Sequence, residues 1–523
     1  MQEGLYAIVG SEGRGALEAN YRLGDAAPFA VVAPASESEV CALLEYTHAM
    51  RTPCLVAGSG TYLTHLVPPD RAWWLLSTRR LNRVVDYSPQ DLVLTVGAGI
   101  TLHAVQELLR EHRQYLPWNP ALPQQATIGG IVGSNRAGAW RYRFGTPRDR
   151  LLAVRAVTPD GVAFKSGAKV VKSVAGYDLH RLLCGAWGTL AVITEITLKV
   201  QPLPQHFEAV GWQTTWDALE PTLADLMQMP LQPDGISVLA MRDWGIEAVA
   251  VQGATQMESF LPPTSFPVSV HNRVVFCTPS LRFPLPAGGT ERAHPAWFPS
   301  RSGEFSAPTR FPPLREGNPK EGGTHNNLIL RARSTLLEPP PAVAPLTQPE
   351  LQTEPCLQTE QDAPVPYLLL EFSGSPEGVA WQIAQLRERG YPAEPVPETM
   401  LHQVRDWLAP RRHALLLQIL LRPSEVADAM ARWSELRGVS VLAHAGNGVL
   451  YVAADESGLT DALLQRVRAL TAKYRVLSGA GWLREQSGGE LPKLALSDGE
   501  RRLMQRLKAA LDERGILPDL ISR

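Results

Sequence analysis

An α+β fold is what this sequence predicts, and three features lead to it. Short β-branched runs, Leu152–Val157 and Val192–Leu198, read as buried strands, with glycines at the turns between them. Further along, Phe207–Trp212 alternates like a strand and Trp216–Met229 reads as a helix, a pattern that resumes only after residue 366. Between these halves, residues 256–365 are dense in proline and lose apolar periodicity. Glycine spacing alone suits two kinds of domain: one wrapping a long polar cofactor in backbone N–H groups, or an ordinary loop-rich α/β domain.

Taken in order, Ser36-Glu37-Ser38-Glu39 has a capping-box pattern, and Val40, Leu43, Leu44 and Thr47 mark one helical face. Pro53–Ala57 reads as a short strand running directly into Gly58-Ser59-Gly60-Thr61-Tyr62-Leu63. Such a loop offers several N–H groups and two hydroxyls to one anion, which suits a diphosphate; a turn without a ligand fits the same residues. No Gly-x-Gly-x-x-Gly opens a helix here, which disfavours NAD. Asp91–Val96 reads as a strand ended by Gly97 and Gly99, and Leu102–Arg113 as an amphipathic helix. Trp118–Pro123 is a proline-fixed extended approach to the next glycine turn. In the second half, Gly235–Met241, Glu247–Gln252, Tyr367–Phe372, Ala414–Leu420 and Gly448–Val452 read as strands. Gly378–Gly390 and Pro423–Leu436 read as helices. The proline-rich stretch is expected to be disordered or a linker, and no chemistry is assigned to it.

Composition excludes several function classes. Lys plus Arg total 50 against 52 for Asp plus Glu, a net charge of −2, which gives no electrostatic footprint for nucleic acid. Five cysteines are scattered without a C-x-x-C pair, so a disulfide framework, a cysteine-bound zinc or an iron–sulfur cluster is not expected. A reducing, cytoplasmic setting fits this usage. Met1–Tyr6 lacks a basic run followed by an apolar one, so no signal peptide is expected; Ala414–Leu421 is too short to span a bilayer.

A resemblance enters at Val170-Val171-Lys172-Ser173-Val174-Ala175-Gly176-Tyr177-Asp178, with Thr127-Ile128-Gly129-Gly130 and Gly188-Thr189-Leu190…Ile193-Thr194-Glu195. Together these resemble the FAD-binding domain of the vanillyl-alcohol oxidase (PCMH-type) flavoproteins, and within them the FAD-binding E-type subunits of bacterial glycolate oxidases. The first string is specific; the other two are shared across the wider family. The likeness spans residues 1–255 and 365–523.

The resemblance implies a two-lobed PCMH-type FAD-binding domain (1–205) and a smaller ferredoxin-like α+β cap in two halves (206–255 and 366–455). The insert (256–365) separates the halves, and a C-terminal helical segment (456–523) returns to the FAD domain. Implied cofactor contacts begin with Ala57, Gly58, Ser59, Gly60, Thr61 and Tyr62 of the first loop. They continue with Pro123, Thr127, Ile128, Gly129, Gly130, Ser134, Asn135 and Asp149, and end with Gly188, Val192, Ile193 and Thr194 on the closing strand. Where the family often attaches flavin through a loop His, this chain has Thr61, and His65 has no matching place, so FAD is expected without a covalent bond. Trp140 and Trp187 are expected to serve packing rather than the flavin.

Lys172, Tyr177, Asp178, His180 and Arg181 form a dense polar cluster. Tyr177 or His180 there is either an acid–base group or a packed residue beside a Lys172–Asp178 pair; the second is preferred. Leu442-Ala443-His444-Ala445-Gly446-Asn447-Gly448 resembles a shortened form of the Gly-His-x-Gly-Asp-Gly-Asn-x-His string of catalytic relatives. One histidine assembles no metal site, so none is expected; His444 and Tyr177 are the catalytic candidates. The tail Leu507–Pro518 resembles the family's closing helix but lacks its final Asn and Gly. The implied function is the FAD-binding subunit of a glycolate oxidase complex, oxidising a small 2-hydroxy acid beside a catalytic D-type and an iron–sulfur F-type subunit. Membrane contact, if any, is peripheral, at the inner membrane through that complex. A non-catalytic electron-relay subunit is one alternative. A stand-alone dehydrogenase is another; it needs cap residues such as Arg405, Arg411, Arg412 and His413, which are expected to be a solvated surface cluster.

Overall fold

Three parallel strands, Val31–Val32, Trp74–Ser77 and Cys54–Ala57, form the first lobe, with Trp74–Ser77 in the centre. The Trp-Leu-Leu-Ser run is buried along its whole length, because sheet neighbours lie on both sides and helix Glu37–Ala49 lies in the same core. Ser36 caps that helix by accepting from Glu39 N at 3.2 Å, while the Glu39 carboxylate takes the Ala35 amide at 2.9 Å. The second lobe is a five-stranded antiparallel sheet in the order Val84–Ser88, Val93–Gly97, Val192–Lys199, Leu151–Val157, Ala163–Gly167. Helix Leu102–Arg110, capped by Thr101, packs Val105 and Leu109 into its core.

The computed structural model describes residues 1–66, 68–169, 177–241, 364–470, 473–486 and 498–518. The Val170–Gly176 string, with Lys172, the expected strand Glu247–Gln252 and the proline-rich stretch up to residue 363 lie outside the described residues.

The cap is one eight-stranded antiparallel sheet made of two βαββαβ units. His206–Gln213, Gly235–Ala240, Tyr367–Gly374 and Glu394–Pro395 form the first, with helices Trp216–Gln228 and Pro376–Glu388. Leu415–Leu420, Val439–His444, Val449–Ala454 and Lys473–Ser478 form the second, with helices Val426–Ser434 and Asp461–Arg468. Gly235–Ala240 pairs with Val439–His444 and joins the units edge to edge. Each unit thus has the ferredoxin-like strand order, which corrects the expected layout in two ways. The insert falls within the first unit, and the cap runs to Ser478 instead of stopping at residue 455.

Both sheet faces are covered, which explains strands written as unbroken leucine runs. Leu415 and Leu417 face the helical layer, while Leu416 joins Leu401 and Val404 of helix Glu398–Trp407 on the other face. That second face also meets Ala121 of the N-terminal domain. Polar ties hold the cap there: Leu122 N donates to Asp406 Oδ1 at 2.9 Å, Thr64 Oγ1 to Leu477 O at 2.8 Å, and Arg411 to Asn20 O at 2.7 Å. The tail returns to the first lobe, where Cys54 N donates to Ile516 O at 2.6 Å and Lys508 Nζ to Thr189 O at 2.7 Å. No helix among the described residues is long and apolar enough to cross a membrane.

The most buried polar tie between cap and N-terminal domain is a cluster at Glu371. Trp140 Nε1 donates to its carboxylate at 2.8 Å, and Arg143 pairs at 2.6 Å with Asp234, which is fully buried. Burial pushes the Glu371 carboxyl up from its ordinary 4.5 to about 7, and neighbouring Asp234 adds to the rise against the Trp140 bond. A raised carboxyl stabilises the fold while protonated and loses that contribution as pH climbs through the window between the two values. Stability is expected to fall by up to roughly 3 kcal/mol between about pH 4.5 and 7 from this group. Glu371→Gln keeps an acceptor for Trp140 and is expected to flatten that decline in melting temperature; an unchanged slope in the variant contradicts the assignment.

Candidate functional site

An open cleft lies between the two lobes of the N-terminal domain. The loop after strand Cys54–Ala57 forms one wall. Gly58 is required there because a Cβ would lie 2.1 Å from Thr127 Oγ1; Gly60 adopts φ +73°. Tyr21 fixes the start of the loop by donating to Gly58 O at 3.0 Å. The amides of Ser59, Gly60, Thr61 and Tyr62 have no acceptor among the described residues, so four successive N–H groups stand available to an anion. The Ser59 hydroxyl, expected to serve that anion, instead donates to Gln125 O at 2.6 Å and ties the loop down.

Helix Ile128–Ser134 forms the facing wall. Thr127 caps it by accepting from Gly130 N at 3.1 Å, and Gly129 N donates to Ala98 O at 2.8 Å. Gly133 behaves differently from its neighbours. It has ordinary helical backbone, yet a Cβ there would meet nothing within 4 Å, and it lines the cleft. No contact with the described residues demands glycine at 133, and the space beside it is open to a ligand.

The cleft gathers twelve of the expected cofactor residues: Ala57 to Tyr62 on the loop, Thr127, Gly129, Gly130 and Ser134 on the helix, and Gly188 and Ile193 on the closing segment. The other six stand outside its lining. Ile128 and Val192 are fully buried in the cores behind it. Asn135 ends the helix in a left-handed conformation and accepts from Arg148 N at 3.3 Å. Asp149 closes a capping box on Thr146, Thr194 Oγ1 donates to Glu37 at 2.7 Å, and Pro123 accepts from His103 N at 3.1 Å. Sequence reasoning passed over Val56, Leu63, Thr78, Ala98 and Gly133, which also line the cleft. Two glycines mark the place of two of them: a Cβ at Gly99 would lie 1.9 Å from Thr78 O, and one at Gly129 2.7 Å from Ala98 O. Trp187, expected only to pack, lines the cleft with its Nε1 buried and without a partner among the described residues, and its backbone at φ +56°.

His65 does not line the cleft; its Nδ1 bonds Val476 O at 2.7 Å and its ring lies 4.2 Å from that of Trp187. Of the polar cluster, Tyr177 is 91% exposed rather than packed, because the short helix Leu179–Leu183 that follows it starts at the surface. Asp178 pairs with Arg181 at 3.6 Å, and His180 is buried against Ser166 at 3.2 Å. Arg405 corrects the expected solvated cluster: it is buried and paired with Asp406 at 2.9 Å, while His413 bonds Trp407 O at 2.6 Å.

A second pocket lies beneath the cap and shares Tyr62 with the cleft. His444 enters it from the end of strand Val439–His444. It is 4% exposed; Nδ1 lies 3.2 Å from Ser237 Oγ and the ring meets Tyr451 edge-on, while Nε2 has no partner among the described residues. Burial, reinforced by the charges of Arg141 and Arg136, holds the imidazole neutral, with its pKa down to about 3. Arg136 stacks over the Tyr62 ring at 4.6 Å and lies 5.8 Å from that of Trp187, between pocket and cleft.

Two lobes, a glycine loop with free amides and a glycine-walled cleft suit a long anionic cofactor, and comparison says which. Residues 28–167 match the family described as an FAD binding domain. FAD is the cofactor. The chain is 34% identical over 202 residues to D-lactate dehydrogenase [cytochrome], mitochondrial, of Arabidopsis thaliana, covering 38% of this chain and 35% of that protein. It is 34% identical over 196 residues to glycolate oxidase subunit GlcE of Escherichia coli, covering 37% and 54%. It is 28% identical over 213 residues to glycolate oxidase subunit GlcD of Bacillus subtilis, covering 40% and 45%. The chain therefore spans about a third to a half of the length of these relatives. The fold resembles that of a solved alkyldihydroxyacetonephosphate synthase, at TM-score 0.52 and 15% identity over 94% of this chain and 75% of that one.

The residues present fit the cofactor. The free amides of Ser59–Tyr62 suit its diphosphate, and the open face at Gly133 leaves room beside the helix. Gly133→Val is expected to fold with a melting temperature close to the parent's in the apoprotein, yet to lose FAD on gel filtration. Retention of FAD at the parent's level contradicts this placement.

Proposed function

We propose that this chain is the FAD-binding subunit of a glycolate oxidase-type complex that oxidises a small 2-hydroxy acid to the 2-oxo acid. One observation carries the reading: the FAD cleft and the pocket under the cap meet at Tyr62, and a neutral, otherwise unpartnered His444 Nε2 lines that second pocket. FAD supplies the hydride acceptor when bound. The chain's own residues supply the rest. The loop Gly58–Tyr62 and helix Ile128–Ser134 hold the cofactor without a covalent bond, since His65 is engaged elsewhere. His444, held by Ser237, accepts the proton of the substrate hydroxyl, and the cap shields the pocket from water. Partners expected are a flavin-containing D-type subunit and an iron–sulfur F-type subunit, in the cytoplasm and, through the complex, at the inner membrane.

A second reading, an electron-relay subunit without turnover of its own, is favoured by the turn Ala445–Asn447. The strand that follows buries Val449 and Leu450, so the turn presents one imidazole and no further acid or base. Anaerobic addition of glycolate or D-lactate to the FAD-loaded chain separates the readings. The catalytic one predicts bleaching of the ~450 nm flavin band, slowed at least about 100-fold in His444→Gln. A loaded chain that neither acid bleaches overturns it and leaves the relay.

A further inference from the structure

The pocket beneath the cap is lined by two arginines, Arg136 and Arg141, the first of them stacked on Tyr62. Arg136 leaves the left-handed turn at Asn135 and is only 9% exposed. Its Nε is buried without a partner among the described residues, and the contact of its guanidinium with Gln418 Oε1 is long, at 3.5 Å. Arg141 opens the short helix Arg141–Phe144, lines the same pocket and is exposed. Neither has a carboxylate partner among the described residues. The buried carboxylates on this side of the cap are already engaged: Asp234 with Arg143, Asp406 with Arg405, Glu371 with Trp140.

A buried guanidinium without a counter-ion is strongly unfavourable unless something else completes it. The arrangement persists because Arg136 is clamped against Tyr62, and the missing partner has room to enter. We propose that Arg136 and Arg141 form an anion subsite, closed by His444 and Gln418 of the cap, that takes the carboxylate group of a small organic acid. A guanidinium fork matches a planar carboxylate, and Pro120, Ala121 and Leu408 give the pocket apolar walls suited to a carbon skeleton. Phosphate would be better served by a run of free amides like that of the cleft. The subsite would set substrate choice by holding the acid end while the hydroxyl faces His444. The choice of a carboxylic acid rests on the hydroxy-acid reading above; the presence of an anion subsite does not.

The test is calorimetric titration of the FAD-loaded chain with oxalate, which has no carbinol carbon to oxidise, and separately with inorganic phosphate. Saturable oxalate binding is expected, weakened at least about 10-fold in Arg136→Met and in Arg141→Gln and partly restored in Arg136→Lys, with FAD content unchanged in Arg141→Gln. Arg141→Gln, at an exposed position, keeps the test decisive should Arg136→Met fail to fold. Equal oxalate affinity in parent and Arg141→Gln, or no oxalate binding by the parent, overturns the subsite. Phosphate bound as tightly as oxalate overturns its assignment to carboxylates. A chain that binds oxalate through these arginines but is not bleached by hydroxy acids upholds the subsite while the catalytic reading falls.

Discussion

Thr127 is the point on which the rest of the structure depends. It is buried, caps helix Ile128–Ser134 through Gly130 N, bridges to Thr101, and sits where a side chain at Gly58 would have to be. The loop from the parallel lobe and the helix of the antiparallel lobe therefore approach each other through one hydroxyl and a missing Cβ. That approach sets the width of the cleft. It also leaves the amides after Gly58 without partners among the described residues, open to an anion in the cleft.

The cap is bound to this cleft by polar contacts set in an otherwise apolar interface. Trp140 to Glu371 and Arg143 to Asp234 place two buried carboxyls behind the pocket, while helix Glu398–Trp407 covers the inner sheet face. Such groups are costly unless fully paired, so they fix one seating of the cap more than they add to stability. The seating matters because the pocket exists only between the two parts: Tyr62, Arg136 and Arg141 come from one, Gln418, His444 and Tyr451 from the other.

Many strands and helices were legible from periodicity, though not the central strand Trp74–Ser77 or helices Ile128–Ser134 and Glu398–Trp407, and the glycine loop was legible from its position after a strand. Leu151–Val157, Val192–Lys199 and Tyr367–Gly374 fall within two residues of their expected ends. Strands Val439–His444 and Lys473–Ser478 escaped notice, the second because Lys473 and Arg475 alternate with apolar residues on an edge next to only one neighbour. The second unit of the cap was consequently cut short. Within the site, residues whose side chains carry a motif were easier to find than those that merely stand close. Thr78 and Ala98 line the cleft through backbone approach, which leaves a trace only in the glycines opposite them. Arg136 escaped for another reason: a lone arginine after a glycine helix has no pattern, and its significance comes from the partners it lacks.

The central claim is that the cleft holds FAD and holds it without a covalent bond. Acid precipitation of the purified chain, followed by identification of any flavin in the supernatant and pellet, tests this most directly. The account predicts FAD in the supernatant, equimolar with the chain. Flavin that stays with the pellet would contradict non-covalent binding, and a chain that takes up none even after reconstitution would contradict the assignment of the cleft.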